Sequence, residues 1–213
     1  VELIHESALE LLDEVGVKVD SEEFLEILDE NGASVDYEEK LAKLPPKTVR
    51  DFLDITPSSV TLYGRREDYD LCLEDRKVYY GTGGAAVKIL DLDSDDVRPP
   101  TLEDQARLAT IVQNLENVHF YQTPVVPTDV PEEDLSLNSV YASLTGTYKN
   151  VQESVTGPNK VEDIVELGSL IAGGREEFLD RPFISFVTSW MISPLKLDIE
   201  TTKVLRRVTD FGI

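Results

Sequence analysis

Three short runs, VHFYQT (118–123), VQESV (151–155) and FISFVTSW (183–190), decide the fold, because a helical stretch separates each from the next. Glu132 to Tyr148 and Val161 to Ala172 fill the two gaps with residues of helical periodicity. A third helix is predicted from about Ile199 to Thr209, and Phe211-Gly212-Ile213 reads as a fourth strand just beginning. Strand and helix alternating at this spacing imply an α/β fold with a parallel sheet and right-handed crossovers. An open doubly wound sheet and a (β/α)8 barrel both satisfy the pattern. A whole barrel takes about 250 residues, and only about half that length follows Pro100. The chain is therefore expected to be truncated, and Val1, which is no initiator methionine, suggests a trimmed start.

Working outward, Thr101 and Asp104 form a capping-box-like start after Pro99-Pro100. Leu102, Ala106, Ala109, Val112 and Leu115 then line one helical face. From Ser59 to about Asp93 the period is two. Val60, Leu62, Leu71, Leu73, Val78 and Tyr80 alternate with polar residues around a hairpin tip at Glu74–Lys77, and a less regular strand follows through Val87–Leu92. A small antiparallel β layer is expected there. The N-terminal region is helical: Leu3, Ile4, Ala8, Leu11, Leu12 and Val15 share a face that Gly16 terminates, Ser21 caps a second helix, and Asn31-Gly32 ends it. Ala33, Val35 and Tyr37 suggest a short extended pass, and Pro46 opens a brief third helix. The expected domains are thus a helical region 1–58, an antiparallel β region 59–98 and the βα units 99–213.

The charge balance narrows the function. Twenty Lys+Arg against 42 Asp+Glu give a net charge of −22, which repels phosphate backbones and argues against nucleic acid as a partner. With 41% hydrophobic residues the chain can bury a core. No apolar stretch is long enough for a transmembrane helix, so no membrane partner is expected. The single cysteine, Cys72, suits a reducing, cytoplasmic compartment. A cationic small molecule fits the acidic field.

Gly81-Thr82-Gly83-Gly84 lacks the following helix that a dinucleotide fingerprint requires and the Lys-Ser/Thr of a phosphate loop. It reads as a tight turn, or as backbone lying close to a ligand or partner surface. His5 and His119 have no second ligand at metal spacing, so no metal site is expected, and His119 is assigned to packing within the sheet. No Gly-x-Ser-x-Gly elbow and no Cys/His arrangement supports nucleophilic hydrolysis.

The carboxyl ends of the parallel strands carry more information, because ligands bind at that edge in barrels and open sheets alike. The first strand ends in Tyr121-Gln122-Thr123 and leads to Asp129, the second carries Gln152-Glu153-Ser154, and the third ends in Thr188-Ser189-Trp190. Polar groups in buried strands are costly unless partnered, so three such ends predict a shared polar cavity. Tyr121 and Trp190 add aromatic faces of the kind that attract cations. Glu153 is either a barrel-interior functional group or one partner of an ion pair.

The ordered segments IHESALELLDEVGVKVDSEEF (4–24), NGASVD (31–36), LPPKTVRDFLDITPSSVTLYGRR (44–66) and YYGTGGAAVKILDLDSDDVRPPTLEDQARL (79–108) resemble the N-terminal half of the trimethylamine methyltransferase family. PVVPTDVP (124–131), Tyr148-Lys149-Asn150 and Ser193-Pro194-Leu195 fit the same family, so the resemblance covers essentially the whole chain. It implies the first half of a (β/α)8 TIM-type barrel, preceded by the helical segment and the antiparallel layer. It also implies transfer of a methyl group from a tertiary or quaternary amine, trimethylamine or a betaine, to the Co(I) corrinoid (cobalamin) of a separate protein. A setting such as methanogenesis, a cognate corrinoid protein as partner and a homo-oligomeric state go with it. Members acting on trimethylamine use a pyrrolysine in the half not present here, and a betaine-type quaternary amine is the preferred substrate. The strand-edge reading nominates Glu153 as catalytic, with Gln122, Asp129, Gln152, Ser189, Trp190 and Tyr121 for the substrate and Gly81, Gly83 and Gly84 toward the cofactor. The 213 residues alone are expected to be inactive. A non-catalytic half-barrel or interaction module, or a different barrel enzyme, is the alternative.

Overall fold

The computed structural model describes residues 1–155 and 157–213. In chain order the first elements are α1 (Glu2–Glu14), β1 (Val17–Val19), α2 (Glu22–Glu30), β2 (Ser34–Asp36), β3 (Leu41–Lys43), α3 (Pro46–Ile55), β4 (Ser59–Leu62) and β5 (Leu71–Glu74). Next come β6 (Ile89–Leu90), β7 (Val97–Arg98), α4 (Leu102–Gln113), β8 (Tyr121–Gln122), α5 (Leu135–Gly146), β9 (Val151–Ser154) and α6 (Pro158–Ala172). The last are α7 (Arg175–Asp180), β10 (Ile184–Val187), β11 (Met191–Ile192), β12 (Lys196–Leu197) and α8 (Ile199–Asp210). Two compact units divide the chain: Val1–Pro57 with Ser189–Leu205, and Ser58–Thr188 with Arg206–Ile213.

In the first unit a five-stranded sheet of order β11-β12-β1-β3-β2 carries the core. Val17 and Val19 point inward and Lys18 outward, as period two requires, and they pack with Leu25, Ala42 and Leu197. Ser21 caps α2 by accepting the Phe24 N–H, Asn31 is its C-cap, and Pro46 opens α3. The β11-β12 side of this sheet, where β12 runs parallel to β1 with Lys18 opposite Lys196, has no sequence signal, because β11 and β12 are only two residues each. The α1 face differs from expectation: Leu9 is its buried residue, while Leu3, Ile4, Leu11 and Val15 are exposed.

Gly16 ends α1 as expected and shows why glycine stands there. Its φ is +83°, its N–H bonds the Leu11 carbonyl at 3.0 Å, and a Cβ would sit 2.7 Å from the Ala42 oxygen. Gly16→Ala is expected to destabilise the fold by about 2 kcal/mol, from backbone strain plus the clash with β3. That lowers the midpoint in a thermal melt by roughly 4–8 °C; an unchanged melt would mean that the turn relaxes freely.

The second unit contains a parallel sheet of order β10-β9-β8, each strand beside its sequence neighbour. Tyr121 and Ile184 both register with Val151, and Gln122 and Ser185 both register with Gln152. α5 connects β8 to β9, and α6 with α7 connects β9 to β10. Thr101 and Asp104 form the full capping box of α4, and Arg98 adds two bonds to the same carboxylate. The buried face of α4 is Asp104, Gln105, Ala109 and Val112, whereas Leu115, expected on that face, is exposed.

The antiparallel layer is smaller than expected and contains a parallel pass. β4 pairs with β5, and β6 with β7, but Val78–Tyr80 does not return along β5. Instead the glycine-rich segment runs parallel to the chain around β8, with Gly81 bridging Phe120 and Ala86 bridging Val125. His119 N–H donates to Tyr80 O, Ala86 N–H to Pro124 O and Val126 N–H to Ala86 O. With α4 as its crossover, this segment makes a fourth parallel pass ahead of β8. Residues 211–213, expected to begin a strand, form a turn that closes α8. The architecture is mixed α/β with a sequentially ordered parallel sheet, and no closed barrel is seen among the described residues.

Candidate functional site

Alternation along a strand sorts the nominated residues onto two faces. Tyr121, Thr123, Val151, Glu153 and Ile184 point one way, toward α4 and α5. The Tyr121 hydroxyl donates to the Gln105 carbonyl of α4 at 3.0 Å, and the Ser139 hydroxyl of α5 donates to Glu153 Oε2 at 2.8 Å. Gln122, Gln152 and Ser185 point the other way and are half-buried. Asn150, one step lower on the same face, accepts from the Ser185 hydroxyl and donates to the Tyr63 carbonyl.

The glycines lie beside this second face. Thr82 Oγ1 donates to the Gln122 carbonyl at 2.6 Å, and a Cβ on Gly83 would stand 3.4 Å from Gln122 Oε1. At Gly81 a Cβ would overlap the Phe120 ring at 2.0 Å, so this position accepts no side chain without moving that ring. The carboxyl-end rim thus gathers Gly83, Gln122 and Gln152. Four other nominated residues have their own local partners. Tyr121 is 0% exposed with its ring among the helices, where no ligand cation reaches it. The Asp129 carboxylate accepts the Leu102 N–H at the start of α4. Ser189 and Trp190 belong to the other compact unit, where their carbonyls accept from Thr201 Oγ1 and the Asp198 N–H.

Glu153 anchors a buried polar network on the helix-covered face. It is 6% exposed, and burial pushes its carboxyl up to about 7 against the opposing effect of hydrogen bonds from Ser139, Ser154 N–H and Thr123. Neither an arginine nor a lysine pairs with it among the described residues. Gln105 Nε2 binds Ser139 and Ser143 of α5, locking α4 to α5 beneath the strand. The same burial, with the Glu153 charge nearby, raises the Tyr121 phenol. Sequence reasoning missed Gln105, Ser139 and Ser143, although Ser136, Ser139 and Ser143 recur at helical spacing on one face of α5.

At the amino ends of the strands the groups are structural, as expected for that face of a parallel αβ layer. The Lys149 ammonium is buried and donates to the carbonyls of Val112, Leu115 and Val118, where α4 ends. Arg65 does the same for α5 through the Leu144 and Thr147 carbonyls. His119 accepts the Tyr80 N–H on Nδ1, so its ring is spent in holding the fourth parallel pass. Among the described residues no group of three or more His, Cys, Asp or Glu side chains is placed to hold a metal ion. Nor is any described helix long and apolar enough to cross a membrane.

Comparison with known proteins adds an independent line. The family model described as trimethylamine methyltransferase (MTTB) matches residues 1–212. The trimethylamine methyltransferase MttB of Desulfitobacterium hafniense strain DCB-2 is 30% identical over 210 residues, which is 99% of this chain and 42% of that protein. The glycine betaine methyltransferase of D. hafniense strain Y51 is 28% identical over 214 residues, 100% of this chain and 44% of its own length. The MttB of Methanosarcina thermophila is 29% identical over 217 residues, again 99% and 44%. The chain spans less than half the length of these curated relatives.

Proposed function

This chain belongs to the trimethylamine methyltransferase family, and on that premise we propose that it forms the amine-binding half of a corrinoid-dependent methyltransferase. The proposed donor is a quaternary or tertiary methylated amine, with a betaine-type quaternary amine preferred. Relatives named for trimethylamine and for glycine betaine both align along the whole chain. The corrinoid enters as a second substrate on a separate partner protein. In the reaction the methyl group passes to Co(I), and the C–N electron pair stays with the departing amine. The protein's part is to hold the cation, exclude water and aim the methyl group.

One observation carries the placement of the substrate. Gln122 and Gln152 stand in register on the sheet face away from α4 and α5, beside a glycine that leaves the space open. A parallel sheet is ordinarily apolar on both faces, so uncharged amides there fit a polar ligand. We assign this face to the interior of a (β/α)8 barrel of which the four parallel passes are the first half; their sequential order supports that assignment. Glu153, on the opposite face, acts as a positioning residue that fixes the carboxyl end of β9. The proposed compartment is a reducing cytoplasm, in which Cys72 stays a free thiol.

The test uses the full-length protein with its Co(I) corrinoid partner, following the corrinoid's absorbance change on methylation across betaines and trimethylamine. Turnover of at least one amine is expected. In the double variant Gln122→Leu, Gln152→Leu, kcat/KM should fall by about 100-fold, the scale of two lost hydrogen bonds. No methylation with any amine, or an unchanged kcat/KM in the double variant, would refute the assignment.

A further inference from the structure

The four parallel passes, residues 79–87, 118–123, 150–155 and 184–187, contain a single carboxylate, Glu153, and it turns under α5. The face that carries the Gln122 and Gln152 amides therefore offers a cation no counter-charge from the strands. Asn150, one step toward the amino ends, is 0% exposed, and its amide is spent on the Ser185 hydroxyl and the Tyr63 carbonyl. Phe120 is the other group below the amides, because alternation puts its ring on the same side as Gln122. The neighbouring pass confirms that placement. Gly81 and Gly83 share one face; the first lies against the Phe120 ring and the second against the Gln122 amide. A Cβ on Gly81 would stand 2.0, 2.3 and 2.4 Å from three ring carbons, so the ring fills the side-chain space of the residue it bridges. The ring is only half-buried.

We propose that Phe120 is a specificity-determining residue of the amine site, its ring forming an aromatic floor beneath the Gln122 and Gln152 amides that selects a quaternary ammonium. The inference rests on the amine-site reading given above. Two residues along a strand span about 6.6 Å, so a cation seated at the amides lies within the roughly 6 Å over which an aromatic ring attracts it. A quaternary nitrogen donates no hydrogen bond and loses none on leaving water, whereas an N–H-bearing ammonium on this face needs acceptors that only the two amides supply. Its methyl groups carry the positive charge and meet the negative face of the ring. Tyr121, one residue further on, faces the opposite way with its hydroxyl on the Gln105 carbonyl, so the aromatic contact belongs to its neighbour. Gly81 keeps the place of the ring free.

The experiment measures binding to the full-length protein by titration calorimetry. The cations are glycine betaine and tetramethylammonium, and the control is the tert-butylacetate anion, which has carbon in place of the betaine nitrogen. Phe120→Leu should weaken both cations about tenfold, the scale of a desolvated cation–π contact, and leave the carbon analogue within about twofold. A difluorinated phenylalanine placed at position 120 keeps the shape of the ring and drains its negative face. It should weaken the cations several-fold, and it decides on its own if Phe120→Leu fails to fold. A loss shared equally by the cations and the carbon analogue, or cation Kd values that neither change moves, would mean that Phe120 only packs against Gly81, and overturns the proposal while leaving the amine site standing. If the natural protein binds neither cation, the proposal falls; when trimethylamine goes unbound as well, the amine-site reading falls with it.

Discussion

Lys149→Met is expected to lower the stability of this chain by about 3 kcal/mol or more, an unusually large loss for one polar side chain. The ammonium is 4% exposed and spends its three protons on the carbonyls of Val112, Leu115 and Val118, at 2.7, 2.8 and 2.5 Å. Val112 O and Leu115 O each also accept a backbone N–H, from Leu115 and Val118, so the loss comes from three charge-assisted bonds, each contributing about 1.5 kcal/mol or more, rather than from three orphaned acceptors. Methionine fills much of the volume and supplies no donor, and the favourable charge at the helix terminus is lost as well. A thermal melt should show a midpoint lower by roughly 6–12 °C. A drop below about 3 °C would mean that water replaces the ammonium and that Lys149 is not the cap it resembles.

Glu153→Gln is expected to act in the opposite direction, and only where the acid is ionised. Burial raises the folded-state carboxyl from 4.5 to about 7, so between those values the native state binds a proton that the unfolded chain has released. Stability therefore falls as pH rises from 4.5 through 7, by roughly 3 kcal/mol in all at about 1.4 kcal/mol per unit. Below pH 4.5 both states are protonated and the cost vanishes. The variant keeps the shape without the charge, so its stability relative to the natural chain should climb by roughly 3 kcal/mol between pH 5 and pH 8. Denaturant unfolding at the two pH values measures this, and a pH-independent difference would show that Glu153 is solvated or paired. Asp104 sets the acid limb separately. Arg98 and the Thr101 cap hold its carboxyl well below the usual range, so its contribution is present above about pH 4 and is lost as pH falls further.

A structural acid with a raised pKa changes what the Gln152-Glu153-Ser154 triplet means. All three are polar, which in sequence looks like one functional edge. Alternation sends Gln152 to the open face and Glu153 under the helices, where Ser139 and Thr123 receive it. A sequence states which residues are adjacent along the strand, but the face that meets the helices follows from where α4 and α5 pack. Tyr121 shows the same limit. Its aromatic ring and its place near a strand end suggest a cation site, yet its hydroxyl is tied to the Gln105 carbonyl inside the helical layer.

Much of the fold was nonetheless written locally. The capping box at Thr101 and Asp104, the Ser21 cap, the Gly16 terminator and Pro46 at the head of α3 act within a few residues, so residue type alone specifies them. The β-helix alternation after Pro100 is equally local, because periods of two and 3.6 appear in any short window. The glycine-rich segment was harder to place. Its residues lack alternating apolar side chains, so nothing in the run marks a strand, and only pairing with Phe120 and Val125 makes it the fourth parallel pass. The same holds for β11 and β12, two residues each, which are strands only because β12 pairs along β1 and β11 along β12.

By itself the sequence determined the order of the longer strands and helices, several helix caps and the family, because these depend on short-range periodicity, caps and segments read in register. Tertiary structure alone decided which polar groups share a face, that Lys149 and Arg65 serve as helix caps, and that Gln122 and Gln152 stand together while Glu153 turns away. Those outcomes depend on contacts between residues far apart in the chain, whose partners are fixed only when the helices settle onto one side of the sheet.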